Sequence, residues 1–280
     1  MKLRQRRLPA GWYPETAAEV REMLKAWELA DPLPAPAAAV PASLAALAPH
    51  AGWYFSGALA WRSWRSLAQS DIVAVIGGHR PAGAPCLVDL SEAYATPLGN
   101  IAAASELRAD LMAALDCAED TAMDNTVEVQ LPLLAAAQPA ATLLWVRAPA
   151  DQAAERLGEF LAAWAERTGT RLAVLGSADL THYGPDYGFE PAGRGASALA
   201  WAADNDAQLC RAALALDTGR VLALAEATQA TCSAGAVCCA AAYARARGIK
   251  VGRLLELTSS HAVRAAASFV GYAALTYAPA

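Results

Sequence analysis

Along the chain, short runs of leucine and β-branched residues alternate with longer alanine-rich stretches. In those stretches apolar residues recur three or four positions apart and charges fill the remaining face. Short apolar runs suit buried strands, and the longer periodic stretches suit amphipathic helices. The pattern predicts strands over Ser43–Leu47, Ile72–Ile76, Thr142–Val146, Arg171–Leu175 and Val251–Leu257, and a further strand, placed at a sheet edge, over Phe269–Tyr277. It predicts helices over Glu15–Leu29, Gly57–Leu67, Ser105–Leu115, Gln152–Arg167, Ala196–Leu214 and Ser233–Arg247. Strands and helices in that alternation define the α/β class, with a mostly parallel sheet covered by helices. The proline-rich stretch Asp31–Pro41 (DPLPAPAAAVP) reads as an extended connector. The chain then divides into an N-terminal helix with its connector over 1–41 and a single α/β domain over 42–280.

Composition removes several function classes. With 22 Lys+Arg against 27 Asp+Glu and a net charge of -5, bulk electrostatics offers nothing to a polyanion, so no nucleic-acid partner is expected. Alanine accounts for most of the mean hydropathy of +0.23. No uncharged run approaches the ~20 residues of a spanning helix, so no membrane association is expected. The basic start, MKLRQRRLPAGWYPE, is followed by no apolar core of a secretory signal, and a cytoplasmic location is expected. Six cysteines lie scattered without a CxxC pair, which argues against a disulfide framework or a zinc knuckle and reads most of them as small buried hydrophobes. Alanine-rich helices leave room for an oligomer, although no exposed heptad marks an interface.

The chemistry is carried by the histidines. The chain has only four, and each follows a predicted strand: His50 in APH after SLAAL, His79 in GGH after IVAVI, His182 in GSADLTH after RLAVL, and His261 in TSSH after RLLEL. Open α/β sheets bind ligands at the carboxyl ends of their strands, so this placement predicts a convergent site at one sheet edge. A single histidine in such a loop is ordinarily a hydrogen-bonding loop residue; four in four strand-end loops point to a cluster. Several imidazoles with a carboxylate suit a divalent transition metal, and two histidines with one further donor suit non-haem iron(II). Asp179 lies three residues before His182 in SADLTHYG, where its carboxylate can orient His182 itself or a metal-bound imidazole. An imidazole not spent on the metal is the natural general base, and His182 is the candidate.

These residues also carry a resemblance. APHAGWYFSG (48–57), TPLGN (96–100), NTVEVQLPLL (125–134), GSADLTHYG (176–184), TCSAG (231–235) and VGYAAL (270–275) occur in the order and spacing of the MEMO family, over roughly residues 45 to 277. The resemblance implies a three-layer αβα fold similar to the class III extradiol catechol dioxygenases, with a non-haem iron at the strand ends. It implies a metal site formed by His50, His79 and His261 or a near neighbour, with Asp179 and His182 beside it. The chain departs from the family pattern in three places, one of them the last loop, where it lacks the cysteine that some members carry and His261 is the substitute donor. GGHRPAG stands where the family has GPSH, and DNTVE stands where it often has EHSxE, so that Asn125 replaces a histidine while Glu128 is kept. Asn125, Glu128 and Cys232 are therefore pocket candidates. Cys232 precedes a predicted helix whose dipole favours a thiolate, but a structural thiol in the cap region is the weightier reading. Trp53 and Tyr54 of GWYFSG read as packing for the helix that follows, with lining of a substrate cavity as the alternative, and Arg80 and Arg264 read as solvated or ion-paired, with anion anchoring as the alternative.

The resulting expectation is a metal-dependent redox enzyme resembling the extradiol dioxygenases, using Fe(II), with copper or zinc as alternatives, on a small aromatic or chelating substrate. The alternatives are a metal-binding or protein-interaction protein without turnover, and hydrolysis at a metal-bound water. The resemblance also implies association with an AMMECR-like protein and a radical SAM enzyme.

Overall fold

The computed structural model describes residues 2–31 and 42–279, so the proline-rich connector lies outside the described residues. The strands are β1 (Leu3–Arg4), β2 (Ala45–Ala48), β3 (Ile72–Gly77), β4 (Cys86–Val88), β5 (Ala93–Thr96), β6 (Gly99–Ala102), β7 (Cys117–Glu119), β8 (Thr142–Arg147), β9 (Leu172–Ser177), β10 (His182–Tyr183), β11 (Arg253–Ser259) and β12 (Phe269–Tyr277). The helices are α1 (Ala17–Ala30), α2 (Trp53–Ser66), α3 (Ser105–Ala114), α4 (Asn125–Glu128), α5 (Leu131–Ala137), α6 (Gln152–Thr168), α7 (Ala196–Leu214), α8 (Thr218–Thr228), α9 (Ala234–Ala246) and α10 (Ser260–Val263).

Nine strands form the main sheet in the order β10-β12-β2-β9-β3-β8-β4-β7, with β11 also paired to β12. Its centre, β2, β9, β3 and β8, is parallel. Strand β12 runs antiparallel to β2 on one side and to β11 and β10 on the other. This corrects the expectation of an edge strand: all nine residues of β12 are buried, and the continuous apolar run FVGYAALTY is what an interior strand carries. The three-residue strands β4 and β7 and helix α8 had no expected counterpart. The TPLGN motif at 96–100 spans the tight turn between β5 and β6 in a separate three-stranded sheet, with Gly99 at φ 122°.

Period-two alternation assigns the central strands to two cores. Leu47, Ile72, Ala74, Ile76, Leu144, Val146 and Val174 face a layer built on α6, α7, α8 and α9, whereas Val73, Val75, Leu143, Trp145, Ala173 and Leu175 face α1, α2 and α5. Helices on both faces of one sheet give the αβα sandwich. Helix α9 is buried all round from Ala234 to Ala244, and its small residues allow backbone-close packing. A Cβ on Gly158 of α6 would lie 2.3 Å from the Cys239 carbonyl oxygen, and one on Gly176 of β9 would lie 2.7 Å from that of Ala236. This close seat brings the N-terminus of α9, and Cys232 just before it, over the carboxyl edge of the sheet.

Candidate metal centre at the carboxyl edge

Strands β2, β9 and β3 are adjacent and parallel, so the loops after them open on one edge. His50 follows β2 by two residues, His79 follows β3 by two, Asp179 lies in the loop after β9, and His182 opens the short strand β10 that ends that loop. His50, His79 and Cys232 each offer a donor atom, and the three donors lie within 4.8 Å of one another. The His50 and His79 rings meet edge to face at 5.3 Å between centroids, and Cys232 Sγ lies 3.3 Å from His50 Nε2. The arrangement differs from the expected ligand set in one member. His261 is not in the donor group. It sits beyond β12, which lies between β11 and β2, and its Nδ1 accepts the Ala266 N–H while the ring packs edge-on against Phe269. Cys232, expected chiefly as a structural thiol, stands in the third place.

Each donor is held from behind. His50 is buried, its backbone N–H donates to Asp179 Oδ1 at 2.7 Å, and its Nδ1 lies 3.3 Å from Ser177 Oγ, which leaves Nε2 facing Cys232. His79 adopts a left-handed backbone conformation (φ 56°), a strained geometry for a histidine of the kind that collects at functional sites. Its Nδ1 lies 2.9 Å from Asp124 Oδ2, the same carboxylate oxygen that Arg147 approaches at 3.1 Å, so Nε2 is the nitrogen left for the cluster. The Asp179 carbonyl accepts the Thr231 hydroxyl at 2.6 Å and the Cys232 N–H at 3.4 Å, which ties the thiol loop to the loop that fixes His50. A Cβ on Gly78 would come within 2.6 Å of Ser233 Cα, so only glycine lets these two loops touch.

Burial is the largest influence on all three donors and opposes their charge. At His50 it is outweighed by Asp179 and Cys232, which push the imidazole up to about 9 from its usual 6.5. At His79 it is outweighed by the hydrogen bonds to Asp124 and Cys232, and the group rises to about 10. At Cys232 the attraction of His50, together with the nearby His182 and His79 imidazoles, overcomes the burial penalty and holds the thiol well below its usual range. Asp124 is likewise held far below the ordinary carboxylate range, against burial, by its bonds to His79 and Thr126 and by Arg147. Without a metal these shifts favour the ionised thiol and the protonated His50 and His79 imidazoles.

His182 lies beside this group. Its Nε2 is buried with no hydrogen-bond partner and sits 3.9 Å from Asp179 Oδ2, the same distance as His50 Nε2. Burial raises the Asp179 carboxyl, and the neighbouring histidines act against that rise. A cavity of about 440 Å3 opens above these residues. Asn125 lines it and donates to the His50 carbonyl at 3.0 Å. Glu128 does not line it, contrary to its place among the pocket candidates. Its Oε1 accepts the Arg7 and Leu8 N–H groups at 2.7 Å each, so it anchors the N-terminal segment. Phe55 lines the cavity, Trp53 packs in the core as expected, and Tyr54, also expected to pack, is exposed.

The donor chemistry fits a transition metal. Two imidazoles whose outer nitrogens are engaged, a thiolate, and the orphaned Nε2 of His182 form a set that soft or borderline ions take. Together, fold and site define an αβα protein with a His/His/Cys donor cluster at the carboxyl edge of its sheet. The family model of Memo-like proteins matches residues 4–276, and the chain belongs to the Memo family. A MEMO1 family protein of Pyrococcus abyssi is 30% identical over 248 residues, covering 82% of this chain and 85% of the relative. One from Thermococcus kodakarensis is 28% identical over 250 residues, covering 83% and 86%. Among solved structures, an uncharacterized protein of Escherichia coli K12 aligns over 82% of this chain and 98% of its own, at 13% identity and a TM-score of 0.47. No helix among the described residues is long and apolar enough to cross a membrane.

Proposed function

We propose that the protein is a metal-dependent redox enzyme acting on a small aromatic or chelating substrate. The observation that carries this reading is the convergence of His50, His79 and Cys232 within 4.8 Å beneath a cavity that also contains His182. His50 and His79 would bind through Nε2 and Cys232 through its thiolate. Iron(II) remains the leading metal, with copper close behind because a thiolate donor favours it, and zinc as the redox-silent alternative. The bound metal supplies redox chemistry and open coordination positions. The chain itself supplies the rest. His182, which lines the cavity, takes a proton from a substrate hydroxyl and returns it, and Asp179, whose Oδ2 lies 3.9 Å from His182 Nε2, stabilises the imidazolium formed. Asp124 keeps the Nδ1 proton on His79 so that Nε2 stays a lone-pair donor.

The thiolate also supports a second reading, metal binding without turnover. A cysteine takes the position that a carboxylate holds in the two-histidine facial arrangement of iron oxygenases. The two readings separate on titrating the iron- or copper-loaded protein anaerobically with catechols and then admitting air. An enzyme shows a ligand-to-metal absorption change and consumes the catechol, and His182→Ala keeps the metal while losing turnover. A metal-binding protein shows no consumption by either form.

A further inference from the structure

The cavity above the donor cluster contains one feature that the metal site does not use. Arg264, the arginine among its lining residues, has its guanidinium carbon 5.2 Å from the centre of the Phe55 ring and makes no ion pair among the described residues. Two carboxylates line the same space. Asp179 is buried and committed to the His50 backbone, and Asp186 lies on the exposed rim, with no ion pair to Arg264. A guanidinium resting on an aromatic face keeps its in-plane N–H groups available, and those match a planar oxyanion in a two-point hydrogen bond.

The backbone around Arg264 is built to hold it there. The residue closes α10, its N–H donating to the Ser260 carbonyl at 2.9 Å, and His261 ties the following loop back by accepting the Ala266 N–H. His261 is therefore a loop fastener beside the cavity. Phe55 and Tyr272 add flat apolar wall, and 440 Å3 accommodates a single-ring molecule.

We infer that Arg264 is an anion-binding subsite of this cavity, and that the ligand is a small planar aromatic molecule carrying a carboxylate at the end away from the donor cluster. The inference deepens the proposed function, resting on it only for what the other end of the ligand meets. Its test does not need the metal. Benzoate and its neutral isostere benzamide are titrated into the full chain stripped of metal, with binding followed by calorimetry or ligand-observed NMR. Benzoate binds at least about tenfold more tightly, a ratio consistent with one charge-assisted pair. Arg264→Gln brings the two ligands to equal affinity, Arg264→Lys keeps part of the preference, and His261→Ala reduces it. Equal affinities in the wild type, a preference that survives Arg264→Gln because the carboxylate sits on the imidazolium cluster, or no benzoate binding would each overturn the inference. The metal reading is tested separately by 3,4-dihydroxybenzoate and catechol on the metal-loaded protein. No absorption change with either would defeat that reading while leaving the benzoate ratio standing.

Discussion

Asp124→Asn isolates the carboxylate that stands behind His79. Asp124 Oδ1 accepts the Thr126 N–H at 2.9 Å and caps α4, and an asparagine oxygen can keep that bond. At the other oxygen the carboxylate meets His79 Nδ1 at 2.9 Å and Arg147 at 3.1 Å. An amide N–H placed there turns His79 Nδ1 into an acceptor and moves the ring proton to Nε2, the nitrogen needed as a ligand. Losing such a partner typically costs a metal site about 10- to 100-fold in affinity, or roughly 1.4–2.7 kcal/mol. Arg147 still has Asp120 at 3.4 Å, so the fold should survive. Competition against a chromophoric chelator under anaerobic conditions measures the affinity, and circular dichroism confirms folding. A folded Asp124→Asn protein that binds metal within twofold of wild type would refute the argument that Asp124 sets the His79 tautomer.

Three further outcomes follow from the same geometry. Gly78→Ala places a methyl 2.6 Å from Ser233 Cα, a clash with backbone that no rotamer relieves, and should destabilise by about 3 kcal/mol or more in a urea titration or abolish metal binding; a variant that is stable and binds metal contradicts the close approach of the two loops. Asp206, buried behind the His182 loop, has its carboxyl raised to about 7 by desolvation. The folded state therefore keeps this proton longer than the unfolded one, so stability is full below about pH 4 and declines as pH rises to about 7, and Asp206→Asn should remove that decline, at most about 4 kcal/mol; parallel stability profiles for the two proteins would exclude it. Metal binding at pH 7.5 should release about two protons, chiefly from His50 and His79, which are raised to about 9 and about 10, because the Cys232 thiol is held below its usual range and has less of its own proton to give. Unperturbed groups would release about one, mainly from the thiol, and calorimetry in buffers of different ionisation enthalpy distinguishes the two.

Much of this site was legible in the chain because its parallel strands announce themselves as short apolar runs and its histidines follow them directly. His50, His79 and His182 needed only that β2, β9 and β3 be neighbours. His261 obeys the same rule yet lies outside the donor group, since nothing in the RLLEL pattern reveals that β12 pairs between its strand and β2. Cys232 reaches the centre from a helix rather than a strand, through the close seat of α9. The usable signals were its position before a helix N-terminus and the small residues that permit that seat. Glu128 kept its family position but turned toward the N-terminal segment, a contact across more than a hundred residues that local pattern does not encode. Strands β4 and β7 are three residues long, and pairing rather than periodicity makes them strands.

The central claim is that the metal is held by His50, His79 and Cys232. It is tested most directly by elemental analysis of protein purified without an affinity tag and reconstituted anaerobically with iron(II) or copper(I), with Cys232→Ser, His50→Ala and His261→Ala alongside. Near-stoichiometric metal in the wild type and His261→Ala, with loss in Cys232→Ser and His50→Ala, is the predicted result. Full occupancy in the folded Cys232→Ser and His50→Ala proteins, or loss confined to His261→Ala, would contradict it.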